Sequence, residues 1–194
     1  MTLADEALRT LLEGNERFAE TESTHPRLTL DRRRQLLGGQ RPFAVVLGCS
    51  DSRVPPELLF DQGLGDLFVV RTAGHVLGRA ALESIEYAVS HLGTPLVLVL
   101  AHSDCGAVAA TVAARNTAPG EMSCLVSEIL PAVEEASALT GDLVNNASKI
   151  HARRTVDLLR SESFALKEME RSGRGAAVPA FYDLETGRVE ILTG

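Results

Sequence analysis

Short apolar runs that recur between stretches of helical periodicity confine this chain to very few architectures. The runs are Phe43-Ala44-Val45-Val46-Leu47-Gly48, Leu67-Phe68-Val69-Val70 and Leu96-Val97-Leu98-Val99-Leu100. None alternates with polar residues, so each reads as a strand buried on both faces. Helical spacing fills residues 79–92, which stop before Gly93, and then 106–115, 123–139, 144–160 and 162–171. Two last strands, 177–181 and 188–192, flank a tight turn at Glu185-Thr186-Gly187 and are close enough to form a hairpin. Strands that alternate with helices imply an α/β fold: a mostly parallel central sheet with helices on both faces and an antiparallel C-terminal edge strand.

The N-terminal part is different. Thr2 and Asp5 form a capping pattern, and Leu3, Leu8, Leu11, Leu12 and Phe18 recur at helical spacing to about Glu20. A polar loop at 21–26 follows, then a short basic helix near 30–37 that ends at Gly38-Gly39. Residues 1–39 read as an N-terminal helical arm, a device for joining subunits, and 40–194 as the α/β core of a single domain 1–194. The length of 194 residues suits one domain. A net charge of −7 argues against a nucleic-acid partner. The unbroken apolar stretch Leu96 to Ala101 is too short to cross a bilayer, and the N-terminus lacks the pattern of a signal peptide. Three cysteines, Cys49, Cys105 and Cys124, do not suggest a disulfide framework. Thiols in a reducing cytoplasm serve as metal ligands, nucleophiles or core residues, and a cytoplasmic location is expected.

Two clusters carry the chemistry, and each follows a predicted strand. Cys49-Ser50-Asp51-Ser52-Arg53 follows 43–48, and His102-Ser103-Asp104-Cys105-Gly106 follows 96–101. Ligand sites of open parallel sheets lie at the carboxyl ends of the strands. If the two strands are neighbours, Cys49, His102 and Cys105 converge, and two thiolates with an imidazole form a zinc set. The fourth position is then open to water or filled by Asp51. The plainer alternative is that the cysteines are core residues and His102 a satisfied core histidine. Gly106 is expected where a tight turn into a helix leaves no room for a side chain. His91 and His151 lie in helical patterns and read as structural, His25 as solvated and Cys124 as core or surface. His75 is a candidate for the site entrance or a proton relay.

The segment from Cys49 to Glu57 together with His102 to Ala107 resembles the paired signature of the beta-class carbonic anhydrases. The likeness extends through Phe68-Val69-Val70-Arg71-Thr72-Ala73-Gly74 and Ile85-Glu86-Tyr87-Ala88-Val89, and the hairpin Phe181 to Val189 is similar to the closing hairpin of that family. The resemblance implies one zinc ion per chain on Cys49, His102 and Cys105, with Asp51 a fourth ligand only in a closed state. It implies Asp51 and Arg53 as the catalytic pair. Gln40, Phe68, Tyr87 and Gly106 are implied as substrate-pocket residues, in a pocket at the interface of a homodimer or a dimer-based higher oligomer. The implied reaction is reversible hydration of carbon dioxide to bicarbonate and a proton, by a hydroxide that zinc makes available near neutral pH. Activity is expected to rise with pH as water and Asp51 exchange at the metal.

The chain departs from the family at two places. Val46 stands where a bicarbonate-regulated subgroup has a tryptophan, and Arg71-Thr72-Ala73-Gly74-His75 replaces the commoner Arg-Asn-Ala-Gly-Asn. Rival readings are a lyase or hydrolase acting on carbon disulfide or carbonyl sulfide, and a non-catalytic zinc protein. No phosphate-binding loop is present, and Gly63-Leu64-Gly65-Asp66-Leu67-Phe68 lacks the third glycine of a dinucleotide fingerprint.

Overall fold

The computed structural model describes residues 2–115 and 123–193; Met1, 116–122 and Gly194 lie outside the described residues. Helix α1, Leu3–Ala19, starts where the sequence signals it. Thr2 N donates to Asp5 Oδ2 at 2.8 Å and Asp5 N donates to Thr2 Oγ1 at 3.2 Å, which satisfies two otherwise orphaned amides. The buried stripe of α1 is Ala4, Ala7, Leu11, Gly14 and Asn15, whereas Leu3 is 65% exposed. A Cβ at Gly14 would fall 1.8 Å from the Phe60 carbonyl oxygen, so only glycine permits this close an approach. The Asn15 amide donates to the Leu59 and Gly187 carbonyls and accepts from Val189 N.

The N-terminal segment therefore divides. Helix α1 packs on the sheet of its own chain, because its stripe of small residues fits flush, while α2, Leu30–Gln35, buries no residue. A 3-10 turn, Leu36–Gly38, extends α2. Next come β1, Ala44–Cys49, the short helix α3, Pro56–Leu59, and β2, Leu67–Thr72, which runs into a 3-10 turn at Ala73–His75. Helix α4, Arg79–His91, precedes β3, Leu96–His102, and α5, Gly106–Ala114. Helices α6, Ser123–Ala136, α7, Leu143–Glu162, and α8, Phe164–Arg171, lead to β4, Ala176–Tyr182, and β5, Val189–Ile191. Asp183 Oδ1 caps the β4–β5 turn by accepting from the amides of Glu185 and Thr186, and Gly187 supplies φ 72°. Sequence periodicity gave no sign of α3, which has only four residues.

The strand order is β2-β1-β3-β4-β5, parallel except for the antiparallel β4–β5 pair at the edge. Side chains alternate across it. Val45, Leu47, Val97, Val99 and Phe181 meet Ile85 of α4, Val156 and Leu159 of α7, and Leu166 and Met169 of α8. Val46, Leu96, Leu98, Leu100 and Tyr182 meet Leu11 of α1 together with Leu59 and Phe60 on the other face. Each fully buried leucine or isoleucine here contributes roughly 1.5–3 kcal/mol. A third apolar cluster sits at the carboxyl end of the strands, where Val108, Ile129, Val133, Ala147 and Ile150 surround Cys49 and Cys105.

Candidate active site

Strands β1 and β3 are parallel neighbours, and the chain leaves β1 toward β2 on one side but reaches β3 on the other. This reversal opens a crevice at their carboxyl ends. Cys49 closes β1, His102 closes β3, and Cys105 caps α5 three residues later. All three are buried, with one ligand atom from each lying within 4.8 Å of the others.

The donor set fits a tetrahedral zinc ion on three counts. The Cys49 and Cys105 sulfurs are 4.0 Å apart. Zn–S bonds of about 2.3 Å at a tetrahedral angle put sulfurs roughly 3.8 Å apart. His102 Nδ1 lies 2.7 Å from the Ser103 carbonyl oxygen, and as the donor there it leaves Nε2 as the lone-pair nitrogen. That Nε2 is buried with no hydrogen-bond partner, which carries a cost unless a cation takes the lone pair. Thiol chemistry agrees. The Cys49 thiol is drawn far down, first by its hydrogen bond with Cys105 and against the effect of burial. Cys105 is pushed far up, first by the same bond and then by burial. The two thiols are hydrogen-bonded to each other, and a divalent cation between them would favour loss of both protons.

Asp51 stands beside this trio. Its Oδ1 accepts from Arg53 N at 2.9 Å and Arg53 Nε at 3.0 Å, and its Oδ2 accepts from Arg53 Nη2 at 2.7 Å. The fork holds the Asp51 carboxyl well below the usual carboxylate range, against the opposing effect of burial. Asp51 Oδ2 is 4.0 Å from His102 Nε2. Arg53 Nη2 also donates to the Asp104 carbonyl at 3.2 Å, so it ties the two ligand loops together. Arg71 reaches back from β2 and donates to the carbonyls of Cys49 and Asp51. Its segment carried the family resemblance, but no signal in the sequence marked it as the clamp of this loop.

Of the implied pocket residues, Gly106 directly follows Cys105, and the other three stand apart from the trio within one chain. Phe68 and Tyr87 face each other with ring centroids 6.2 Å apart at the β2 edge, and Tyr87 stacks on His91 at 5.1 Å. Gln40 is exposed and lines a shallow depression with Arg32, Gln35 and Leu36. Among the described residues, no hydrogen bond, ion pair or ring contact joins Gln40, Phe68 or Tyr87 to Cys49, Asp51, Arg53, His102 or Cys105. Two expectations are corrected. A Cβ at Gly106 would meet nothing within 4 Å, because the residue faces open space, so crowding is not what requires glycine there. His75 does not line an entrance: it is fully buried and packs against His151, with ring centroids 4.6 Å apart and a tilt of 39°. Its left-handed backbone, φ 47°, turns the ring inward. Burial pushes His75 well below the usual imidazole value, and the neighbouring His151 and His102 lower it further, so it is neutral. Cys124 is exposed.

A family model described as carbonic anhydrase matches residues 44–189. Carbonic anhydrase 2 of Mycobacterium tuberculosis is 45% identical over 188 residues, which cover 95% of this chain and 91% of that protein. The crystal structure of the β-carbonic anhydrase CafA of Aspergillus fumigatus superposes with a TM-score of 0.75 at 26% identity, over 95% of this chain and 89% of that one. A structure from a study of two tetrameric β-carbonic anhydrases of Sordaria macrospora shares the fold at 22% identity, with a TM-score of 0.76 over 97% of this chain and 98% of that one.

Proposed function

This chain belongs to the beta-class carbonic anhydrase family, and from that premise we propose that it is a zinc enzyme that reversibly hydrates carbon dioxide to bicarbonate and a proton. The observation that carries the reading is the buried, unpartnered His102 Nε2 facing two sulfurs 4.0 Å apart, with an arginine-held carboxylate alongside. Cys49, His102 and Cys105 would hold the metal, and zinc there supplies the Lewis acidity that makes water a usable nucleophile near neutral pH.

The remaining chemistry belongs to the chain. Arg53 presents a planar fork that never deprotonates and keeps Asp51 ionised across the working range. An ionised carboxylate has about four lone-pair sites. Oδ1 of Asp51 receives two donors and Oδ2 receives one, so Oδ2 keeps a site free. That free site can accept a hydrogen bond from the O–H of a water next to the ligand atoms and so orient its oxygen for attack on carbon dioxide. In a closed state Asp51 would leave Arg53 and serve as a fourth residue to hold the metal. The apolar cluster behind the sulfurs keeps bulk water off the rear of the site.

Gln40, Phe68, Tyr87 and Gly106 complete the substrate pocket in the same reading, across the interface of a homodimer or a larger dimer-based assembly. The exposed Leu28, Leu30 and Leu37 around α2 support such an interface. A reducing cytoplasm would keep Cys49 and Cys105 as ligands. Stopped-flow hydration of carbon dioxide, paired with metal analysis, tests the proposal. One zinc per chain and activity lost to a chelator and regained with zinc are expected; zinc-free protein, or zinc-loaded protein with no hydration activity, overturns it.

A further inference from the structure

Two turns at the candidate site are held in left-handed backbone by non-glycine residues, Asp104 at φ 51° and His75 at φ 47°. Such backbone is costly for a residue that carries a Cβ and persists only where its surroundings impose it. Asp104 lies between His102 and Cys105, so its turn sets the spacing of two ligands. His75 follows Gly74, whose amide donates to Cys49 Sγ at 3.3 Å, so that turn orients the third ligand. Both turns lean on one helix. Asp104 N donates to Asn145 Oδ1 at 3.0 Å, in the first turn of α7. His151, six residues further along α7, packs against His75 with ring centroids 4.6 Å apart and a tilt of 39°. The Gly74 backbone beside it favours the protonated form of His151, against the larger effect of burial.

We propose that α7 is the template of the metal site, and that Asn145 and His151 are positioning residues: Asn145 fixes the His102–Cys105 turn, and His151 fixes the Gly74 amide against Cys49. The inference rests on the zinc reading above. Neither side chain touches a ligand atom; each acts through one backbone group. Other groups hold the same turns. Ser103 N donates to the Tyr182 carbonyl, Leu184 N to Ser103 Oγ, Thr72 Oγ1 to the Val76 carbonyl and Arg53 Nη2 to the Asp104 carbonyl. Gly74 also packs closely on Ala107 of α5 and Ile129 of α6. Groups that fix ligand orientation from outside the coordination sphere are worth about 10–100-fold in metal affinity or activity.

The test uses the zinc-loaded enzyme and the variants Asn145→Ala, Asn145→Asp, His151→Leu and His151→Asn. Asp keeps an acceptor for Asp104 N, and Asn keeps a polar side chain beside the Gly74 backbone. Zinc affinity is read by competition with a chromophoric chelator, the thiolate-to-metal absorption of the cobalt-substituted protein is recorded, and kcat and KM are measured separately. Asn145→Ala and His151→Leu are expected to weaken zinc binding about tenfold, alter the cobalt spectrum and lower kcat about tenfold at constant KM. Asn145→Asp and His151→Asn are expected to return to within about threefold of wild type. Alanine and leucine variants with wild-type zinc affinity and cobalt spectrum overturn the inference, whatever their melting temperatures, and so do rescue variants as impaired as the deletions. If His151→Leu does not fold, the Asn145 pair at the helix start decides alone. Wild-type protein without zinc affinity overturns this inference and the proposed function together, whereas a tight-binding wild type with indifferent variants overturns this inference only.

Discussion

Two aspartates in this protein are each gripped by an arginine, and they differ in what is left over. Asp61 is saturated: its carboxylate accepts from Arg17 Nε, from the amides of Thr24 and His25 and from Thr24 Oγ1. Its side chain is fully buried. Burial raises its pKa, but the bonds from Arg17, Thr24 and His25 win and bring it to about 2. Asp51 takes all its donors from a single residue, keeps a lone pair on Oδ2, and sits 4.0 Å from an imidazole nitrogen that also lacks a partner. Both carboxylates are paired with an arginine and have depressed pKa values, although Asp61 is fully buried and Asp51 only half-buried beside an exposed Arg53, so the shift alone does not separate structure from chemistry. Unspent hydrogen-bonding capacity does: the saturated pair fastens the chain after α1 to the loop after α3, and the unsaturated pair can still act on a substrate.

The largest expected effect breaks the contrast at Asp51. Asp51→Ala should lower kcat/KM for carbon dioxide hydration by about 10²–10³-fold, while zinc content by metal analysis and the melting temperature stay close to wild type. An Arg53→Lys exchange should cost less, about tenfold in kcat, because an ammonium cannot grip both oxygens; stopped-flow rates at fixed pH check this. At the saturated site the outcome reverses. Asp61→Asn should destabilise the fold by about 2–3 kcal/mol, since it replaces a charged acceptor that serves several donors, yet leave hydration rates at 25 °C unchanged. Urea denaturation against pH sharpens the point. A folded pKa of about 2 lies below the ordinary 3.8, so the contribution of Asp61 is fully present above pH 4 and is lost as pH falls through 2. The wild-type and Asp61→Asn curves should therefore converge in acid. Smallest of all, Arg171→Ala, which breaks an exposed pair with Glu168, should leave the urea midpoint and the hydration rate indistinguishable from wild type.

Much of this contrast was legible before folding, but unevenly. The residues 49–53 and 102–106 announced themselves because their types are rare in combination and follow apolar runs that can only be buried strands. The capping pair Thr2 and Asp5, the helices α4 to α8 and the closing hairpin could also be read, since each depends on neighbours a few positions away. Other roles had no local signature. Asn145 sits in a helical stretch and looks like any polar helix residue until Asp104 arrives from 41 positions away. His75 suggested an accessible imidazole, and its inward turn follows from a left-handed backbone that no sequence rule assigns to histidine. Of the apolar stripe Leu3, Leu8, Leu11, Leu12 and Phe18 read on α1, Leu11 is fully buried and Leu8 and Phe18 pack on the core, whereas Leu3 is exposed. The spacing did not show that Ala4, Ala7 and Gly14 are buried too, with Gly14 close against the Phe60 carbonyl.

The amino-acid sequence by itself determined the strand and helix types, the placement of Cys49 and His102 at strand ends with Cys105 three residues beyond the second, and the presence of an aspartate and arginine two residues apart. Those features follow from short-range periodicity and from residue chemistry. Only the tertiary structure decided that β1 and β3 are neighbours, that His102 Nε2 is left without a partner, and that Arg71 and Asn145 clamp the ligand loops. The reason is physical: strand order and the pairing of buried polar atoms depend on contacts between segments far apart in the chain, which exist only once the sheet has closed its two apolar faces.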